Sequence, residues 1–150
     1  MNKIKYITLF ALLSISKLDL KAQPWDTVGN RRFSDTIAAC YQFLALGKDE
    51  EPYVAYADYR VNGKATVKRF NGSTWDYVGS QGFTNDVAGW LSIAIDYTGT
   101  PYVVFRDCSL NYKATVMKYN GISWAYVGSP GMSAGEVECT RIAIDASGTP

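Results

Sequence analysis

Side chains able to do nucleophilic or acid–base chemistry are few in this chain. It contains no histidine, which excludes Ser-His-Asp and Cys-His nucleophile pairs, the His-Glu-x-x-His zinc site and the commonest general base. Its cysteines, Cys40, Cys108 and Cys139, match no zinc or haem spacing and read as small apolar fillers. Cys40 and Cys139 read as matching positions two repeats apart, too distant for a disulfide, whereas a Cys108–Cys139 bridge is geometrically admissible. No metal site, catalytic residue or cofactor is expected. The remaining polar pattern is a pair of Asp-x-x-x-Asn segments, Asp58 with Asn62 and Asp107 with Asn111. Such oxygens, repeated around a surface, can accept from sugar hydroxyls or hold a hard cation such as Ca²⁺. The competing reading, favoured for residues that recur in every unit, is that each Asp caps its own loop by accepting from nearby backbone amides. Tyr41, Trp90 and Arg141 differ from repeat to repeat and fall near strand starts. They are the better candidates for specificity, Trp90 either as a stacking surface for a sugar or as a filler.

The elements that must position these residues come from a repeat. Trp25, Trp75 and Trp124 each precede a Val-Gly pair, Val28-Gly29, Val78-Gly79 and Val127-Gly128, by three residues. Pro52 to Gly79 matches Pro101 to Gly128 at 15 of 28 positions, and Trp75 to Pro101 matches Trp124 to Pro150 at 13 of 27, both without a gap. Two independent matches at one offset mean duplication. Within a unit, Leu91 to Asp96 is a β-rich run closed by a turn at Asp96 to Gly99, where Gly99 supplies a positive φ. Pro101 to Phe105 returns, Lys113 to Tyr119 follows a loop, and Asn120-Gly121 predicts a tight hairpin into Ser123 to Val127. Asn71-Gly72 does the same in the first unit, where Gly47-Lys48-Asp49-Glu50 replaces the Asp-x-x-Gly turn. No segment has a sustained helical period, so the chain is all-β with four antiparallel strands of five to seven residues per unit. The tight turns fall at one end of the strands, and the loops bearing Asp58, Asn62, Asp107 and Asn111 fall at the other.

At the N-terminus, Lys3 and Lys5 precede an uncharged run from Tyr6 to Ile15, with Ala22 offering a small residue for cleavage. This pattern predicts a secretory signal peptide over residues 1–22 rather than a membrane span, which needs about 20 apolar residues. The chain is close to neutral, with 15 Lys+Arg and 14 Asp+Glu. Removing the leader leaves a slight acidic excess, so no nucleic-acid partner is expected and no membrane association after cleavage.

The motifs from Trp75 through Pro101-Tyr-Val-Val-Phe-Arg-Asp, Lys-Ala-Thr-Val and Tyr119-Asn120-Gly121 make the chain similar to the repeat of secreted bacterial β-propeller proteins. The resemblance covers nearly all of residues 24–150 and is specific for architecture, not activity. WD40 repeats fit less well, lacking the Gly-His partner, as do kelch repeats, lacking the double glycine. The sialidase Asp-box is matched only at Gly72-Ser73-Thr74-Trp75, with Phe70 where its acid belongs. The expectation is an incomplete β-propeller over residues 23–150. It would hold about two and a half four-stranded blades, at roughly 38–87, 88–136 and 137–150, with an outer strand at 25–29 placed to close the ring. Trp25, Trp75 and Trp124 would pack between blades, with Gly72, Gly99 and Gly121 shaping the turns. The implied function is a secreted or cell-surface, non-catalytic module binding a glycan or surface protein through its loop-rich face, together with the remaining blades of its own chain. The alternatives are a fragment of an extracellular carbohydrate-active hydrolase or lyase, and a structural spacer in a multi-domain exported protein.

Overall fold

The structure is a computed structural model that describes residues 26–30 and 39–150; the proposed leader at 1–22 and Trp25 lie outside the described residues. Eight strands form two sheets. The first comprises β1 (Ala39–Leu46), β2 (Pro52–Asp58), β3 (Lys64–Phe70) and β4 (Trp75–Tyr77), and the second β5 (Ala88–Ile95), β6 (Pro101–Asp107), β7 (Lys113–Tyr119) and β8 (Trp124–Tyr126). Each sheet is an antiparallel meander in sequence order. Residues Tyr59–Val61 and Cys108–Leu110 form single 3-10 turns between the second and third strands. The fold is thus all-β and duplicated, as the repeat predicts.

Three local expectations are corrected. β4 and β8 have three residues each, because after Tyr77 and Tyr126 the chain leaves the ladder for the connection. The Asn-Gly pairs do not make two-residue hairpins. Phe70 pairs with Trp75 and Tyr119 with Trp124, which leaves four-residue loops. Gly72 and Gly121 are at positive φ, but Asn71 and Asn120 are not, so the type I′ geometry is absent. Instead Asn71 Oδ1 accepts from the N–H groups of Ser73 and Thr74, and Asn120 Oδ1 from those of Ile122 and Ser123. Finally, residues 26–29 and 137–150 contain no strand. In the second of these stretches the turn at Asp145 to Gly148 still forms, and Thr140 and Ile142 reach the Trp90 carbonyl and the Ser92 hydroxyl of β5 through single side-chain bonds.

The core lies between the sheets. Tyr53, Ala55 and Ala57 of β2 and Ala65 and Val67 of β3 meet Leu91, Ile93, Val103, Phe105, Met117 and Trp124 of the second sheet. Small residues on one side receive large ones from the other, the complementarity that dense packing needs. Shifted by one repeat, the first group becomes Tyr102, Val104 and Val116, which lie on the second sheet's opposite face. The two units therefore stack head to tail in one orientation, not face to face. Because β2 is covered on both sides, Tyr53 to Asp58 are all buried, which explains why its sequence shows no in/out alternation.

The joint between units is made by tryptophan. Trp124 Nε1 donates to the Val78 carbonyl at 2.8 Å, and the Trp124 ring stacks on Phe83 at 4.1 Å and 9°. A Cβ on Gly79 would lie 2.9–3.1 Å from Tyr119 and Trp124, so this glycine is required by the close approach as well as by its φ of 74°. Trp75 repeats the device one unit earlier, donating to the Val28 carbonyl at 3.1 Å beside Gly29.

Candidate functional site

One end of the molecule collects the starts of β1 and β5, the 3-10 turns and the long connections after β4 and β8. All seven residues singled out as ligand candidates lie in these segments, but they divide into two kinds.

Asp58, Asn62, Asp107 and Asn111 are engaged with their own loops. Asp58 and Asp107 are 3% and 4% exposed and cap the 3-10 turns, accepting from the N–H of Arg60 and of Ser109 at 3.0 Å. Their second oxygens accept from buried hydroxyls, Thr66 at 3.5 Å and Thr115 at 3.1 Å. Those hydroxyls in turn accept from Gly82 and Gly131 N–H, both at 2.9 Å. Each Asp thus ties the loop of one hairpin to the connection leading into the next unit. Asn62 and Asn111 end the 3-10 turns in the left-handed region, φ 61° and 53°, a conformation that Asn tolerates better than most residues. The capping alternative accounts for the two Asp side chains, and the two Asn residues contribute the left-handed backbone that ends each turn.

Among the described residues Tyr41 and Trp90 show no loop-closing side-chain bond, while Arg141 donates to the Thr140 carbonyl at 2.8 Å. In β1, Cys40 pairs with Ala57 and Phe43 with Ala55, so one extra residue is inserted; β5 has the same bulge between Gly89 and Ser92. The bulge residues are Tyr41 and Trp90, at φ 55° and 49°, and Cys139 holds the equivalent place at φ 53°. Bulges re-aim side chains, and a left-handed aromatic residue is held there only against steric cost. The Tyr41 and Trp90 rings meet at 5.0 Å and 45°, and Tyr41 remains 37% exposed. Arg141 lies on the Phe43 ring at 4.4 Å. Nearby, Arg106 sits over Tyr112 at 4.2 Å and pairs with Glu136. Tyr59 and Tyr112, also at this end, are 47% and 44% exposed. Tyr59 and Tyr112 are not singled out by the repeat pattern; their signal is an aromatic residue inside a short loop between two strands.

The cysteines are free thiols, and the bridge between Cys108 and Cys139 is not formed. The bulge register also corrects their alignment: Cys139 corresponds to Tyr41 and Trp90, while Cys40 corresponds to Gly89, one residue earlier. The Cys40 sulfur beside Tyr59 pushes the phenol above its ordinary value, with desolvation and Tyr41 adding to the effect. Burial pushes the Cys108 thiol up against the opposing influence of Arg106, making it a poor nucleophile at neutral pH. Among the described residues no group of three or more His, Cys, Asp or Glu is placed to hold a metal, and no helix is long and apolar enough to cross a membrane.

The fold and this end of it define an all-β protein built from a duplicated four-stranded meander, with aromatic residues raised on bulges where β1 and β5 begin. No family model matches the chain, and neither does any curated protein.

Proposed function

We propose that the chain is a non-catalytic binding module of propeller type, exported from the cell, whose bulge-bearing end takes an extracellular glycan. The observation that carries this reading is the paired bulge: Tyr41 and Trp90 occupy equivalent left-handed positions, share a ring contact of 5.0 Å and are free of the loop-closing bonds that occupy Asp58 and Asp107. Strained backbone of this kind recurs at functional positions. Aromatic rings offer the faces on which the C–H surface of a sugar stacks, with few rotamers to freeze on binding. Arg106, Arg141 and the phenols of Tyr59 and Tyr112 supply donors for ring hydroxyls around that platform, the usual composition of a small-ligand site. Same-orientation stacking of the two sheets supports the propeller reading, since a constant rotation between successive units builds such a ring.

The test is a glycan array probed with the full chain, followed by titration of any hit with Tyr41→Ala and Trp90→Ala. At least ten-fold weaker binding by both variants, with unchanged melting behaviour, is the expected result. A protein ligand captured with no glycan hit would shift the reading to a surface-protein binder. Release of reducing sugar by the wild type would establish an enzyme instead.

A further inference from the structure

The joint between the two units has an open counterpart at the far side of the second sheet, and its residues are known from their buried equivalents. Val78, Gly79 and Phe83 are covered by Trp124 and Tyr119 of the next unit. Their equivalents are Val127, Gly128 and Met132. Nothing approaches a Cβ built on Gly128 within 4 Å, and Met132 is 55% exposed. Between them lies a cavity of about 370 Å³, lined also by Val116, Ile142 and Ala143. Beside it, residues 140–144 stand where an inner strand would stand, next to β5, but have no ladder partner and are held by the bonds from Thr140 and to Ser92.

We infer that this cavity and the neighbouring strand edge form one docking site for a three-stranded segment of the repeat's own pattern. Such a segment reads Tyr-Val-Val-Phe, then Lys-Ala-Thr-Val, then Asn-Gly-x-Ser-Trp-x-Tyr-Val-Gly. The commitment rests on continuity with the observed joint: the same backbone carbonyl, the same glycine and an apolar residue at the Phe83 position recur, so the occupant is of the kind that fills the first joint. The occupant's first strand pairs antiparallel with residues 141–144, in the register that Ser92, Ile93 and Ala94 show with Val104, Val103 and Tyr102. Its tryptophan indole donates to the Val127 carbonyl and lies on Met132. Main-chain pairing along the edge supplies affinity, and the indole pocket supplies specificity. This inference rests on the sheet-to-sheet joint; it shares Arg141 with the aromatic end, but its tests touch neither Tyr41 nor Trp90, so either can fail alone.

The probe is a synthetic peptide of residues 102–129, titrated into the full chain by calorimetry. Saturable one-to-one binding is expected. It should weaken at least ten-fold for a Trp124→Ala peptide and for a Met132→Lys protein, whose exposed substitution leaves the melting temperature unchanged. As a second measurement insensitive to peptide solubility, residues 102–129 are fused directly after Pro150. The fused chain should melt higher than the parent, and Met132→Lys should abolish the gain. The inference is overturned by absence of saturable binding together with no rise in melting temperature. It is equally overturned by binding indifferent to both substitutions, or by sedimentation showing that the parent chain closes this face by pairing with itself.

Discussion

The turn between β1 and β2 and the turn between β5 and β6 have the same backbone and different side chains. Gly47 N–H donates to the Glu51 carbonyl at 2.8 Å and Glu50 N–H to the Gly47 carbonyl at 3.1 Å; Asp96 to Thr100 and Gly99 to Asp96 reproduce both bonds at 3.0 Å. In the second sheet one carboxylate oxygen of Asp96 gathers Thr98 N–H, Thr100 N–H and the Thr98 hydroxyl, and Gly99 takes the positive φ. In the first sheet Gly47 has no side chain to offer, Glu51 accepts from Asp49 N–H instead, and Glu50 itself sits at φ 63°. The ladder and the packing around it set the path of the chain, and local residues only adjust how comfortably it is followed. The 3-10 loops say the same. Gln81 donates to Asp58 at 2.8 Å, whereas the second unit has Pro130 at that position and uses the Ser109 hydroxyl, 2.5 Å from Asp107.

Seven substitutions bear on this comparison. The largest effect is expected from Trp124→Ala. It removes a buried indole and its bond to Val78 and should cost about 3–5 kcal/mol in chemical denaturation. Trp75→Ala, at the more exposed joint with Val28, should cost clearly less; equal losses would mean that the two joints are not graded by burial. Next, Asp58→Ala and Asp107→Ala should each cost about 2–3 kcal/mol, because a buried hydroxyl and a turn amide lose a charged acceptor. Gln81→Ala and Ser109→Ala, at about 1 kcal/mol each, test whether the two closures are interchangeable. A smaller change of opposite sign is expected from Glu50→Gly, a gain of about 1 kcal/mol from relieving the left-handed conformation, seen as a higher melting temperature. A loss there would mean that the first turn is not strained.

The smallest effect concerns acid. Burial alone would raise the Asp96 carboxyl, but the hydrogen bonds from the Thr98 hydroxyl and from the N–H groups of Thr100, Thr98 and Gly99 outweigh it and hold the group below its ordinary value. A carboxylate depressed in the folded state stabilises above its ordinary value and ceases to do so as pH falls through the folded value. The stability difference between wild type and Asp96→Asn should therefore be constant near neutral pH and shrink below about pH 4. Gly47 has no carboxyl, so Gly47→Asn should show no such narrowing.

Much of this architecture is legible in the residues. The duplication, the all-β class, the Asp-x-x-Gly turns and the capping alternative for Asp58 and Asp107 all follow from identities at fixed spacing. The bulges do not, because their left-handed positions carry Tyr41, Trp90 and Cys139, residues with no intrinsic preference for that region. The pairing across to β2 and β6 forces Tyr41 and Trp90 there, and Cys139 takes the same conformation outside any ladder. The same omission shifted Cys40 against Cys139 by one residue. The Asn-Gly pairs misled because the side chain of Asn71 or Asn120 can satisfy a four-residue loop as readily as the dipeptide can make a two-residue one. Strand length at β4 and β8 depended on where the connection departs, which tertiary contacts decide.

The hydrogen bond of each indole goes to a main-chain oxygen of its predecessor, and beneath Trp124 an apolar ring, Phe83, completes the contact. A coupling of that sort asks of its neighbour only a glycine and an apolar surface under the indole, so adjoining modules can diverge elsewhere in sequence without renegotiating their seam. Gene rearrangements that add or delete whole periods would leave every remaining seam chemically unchanged.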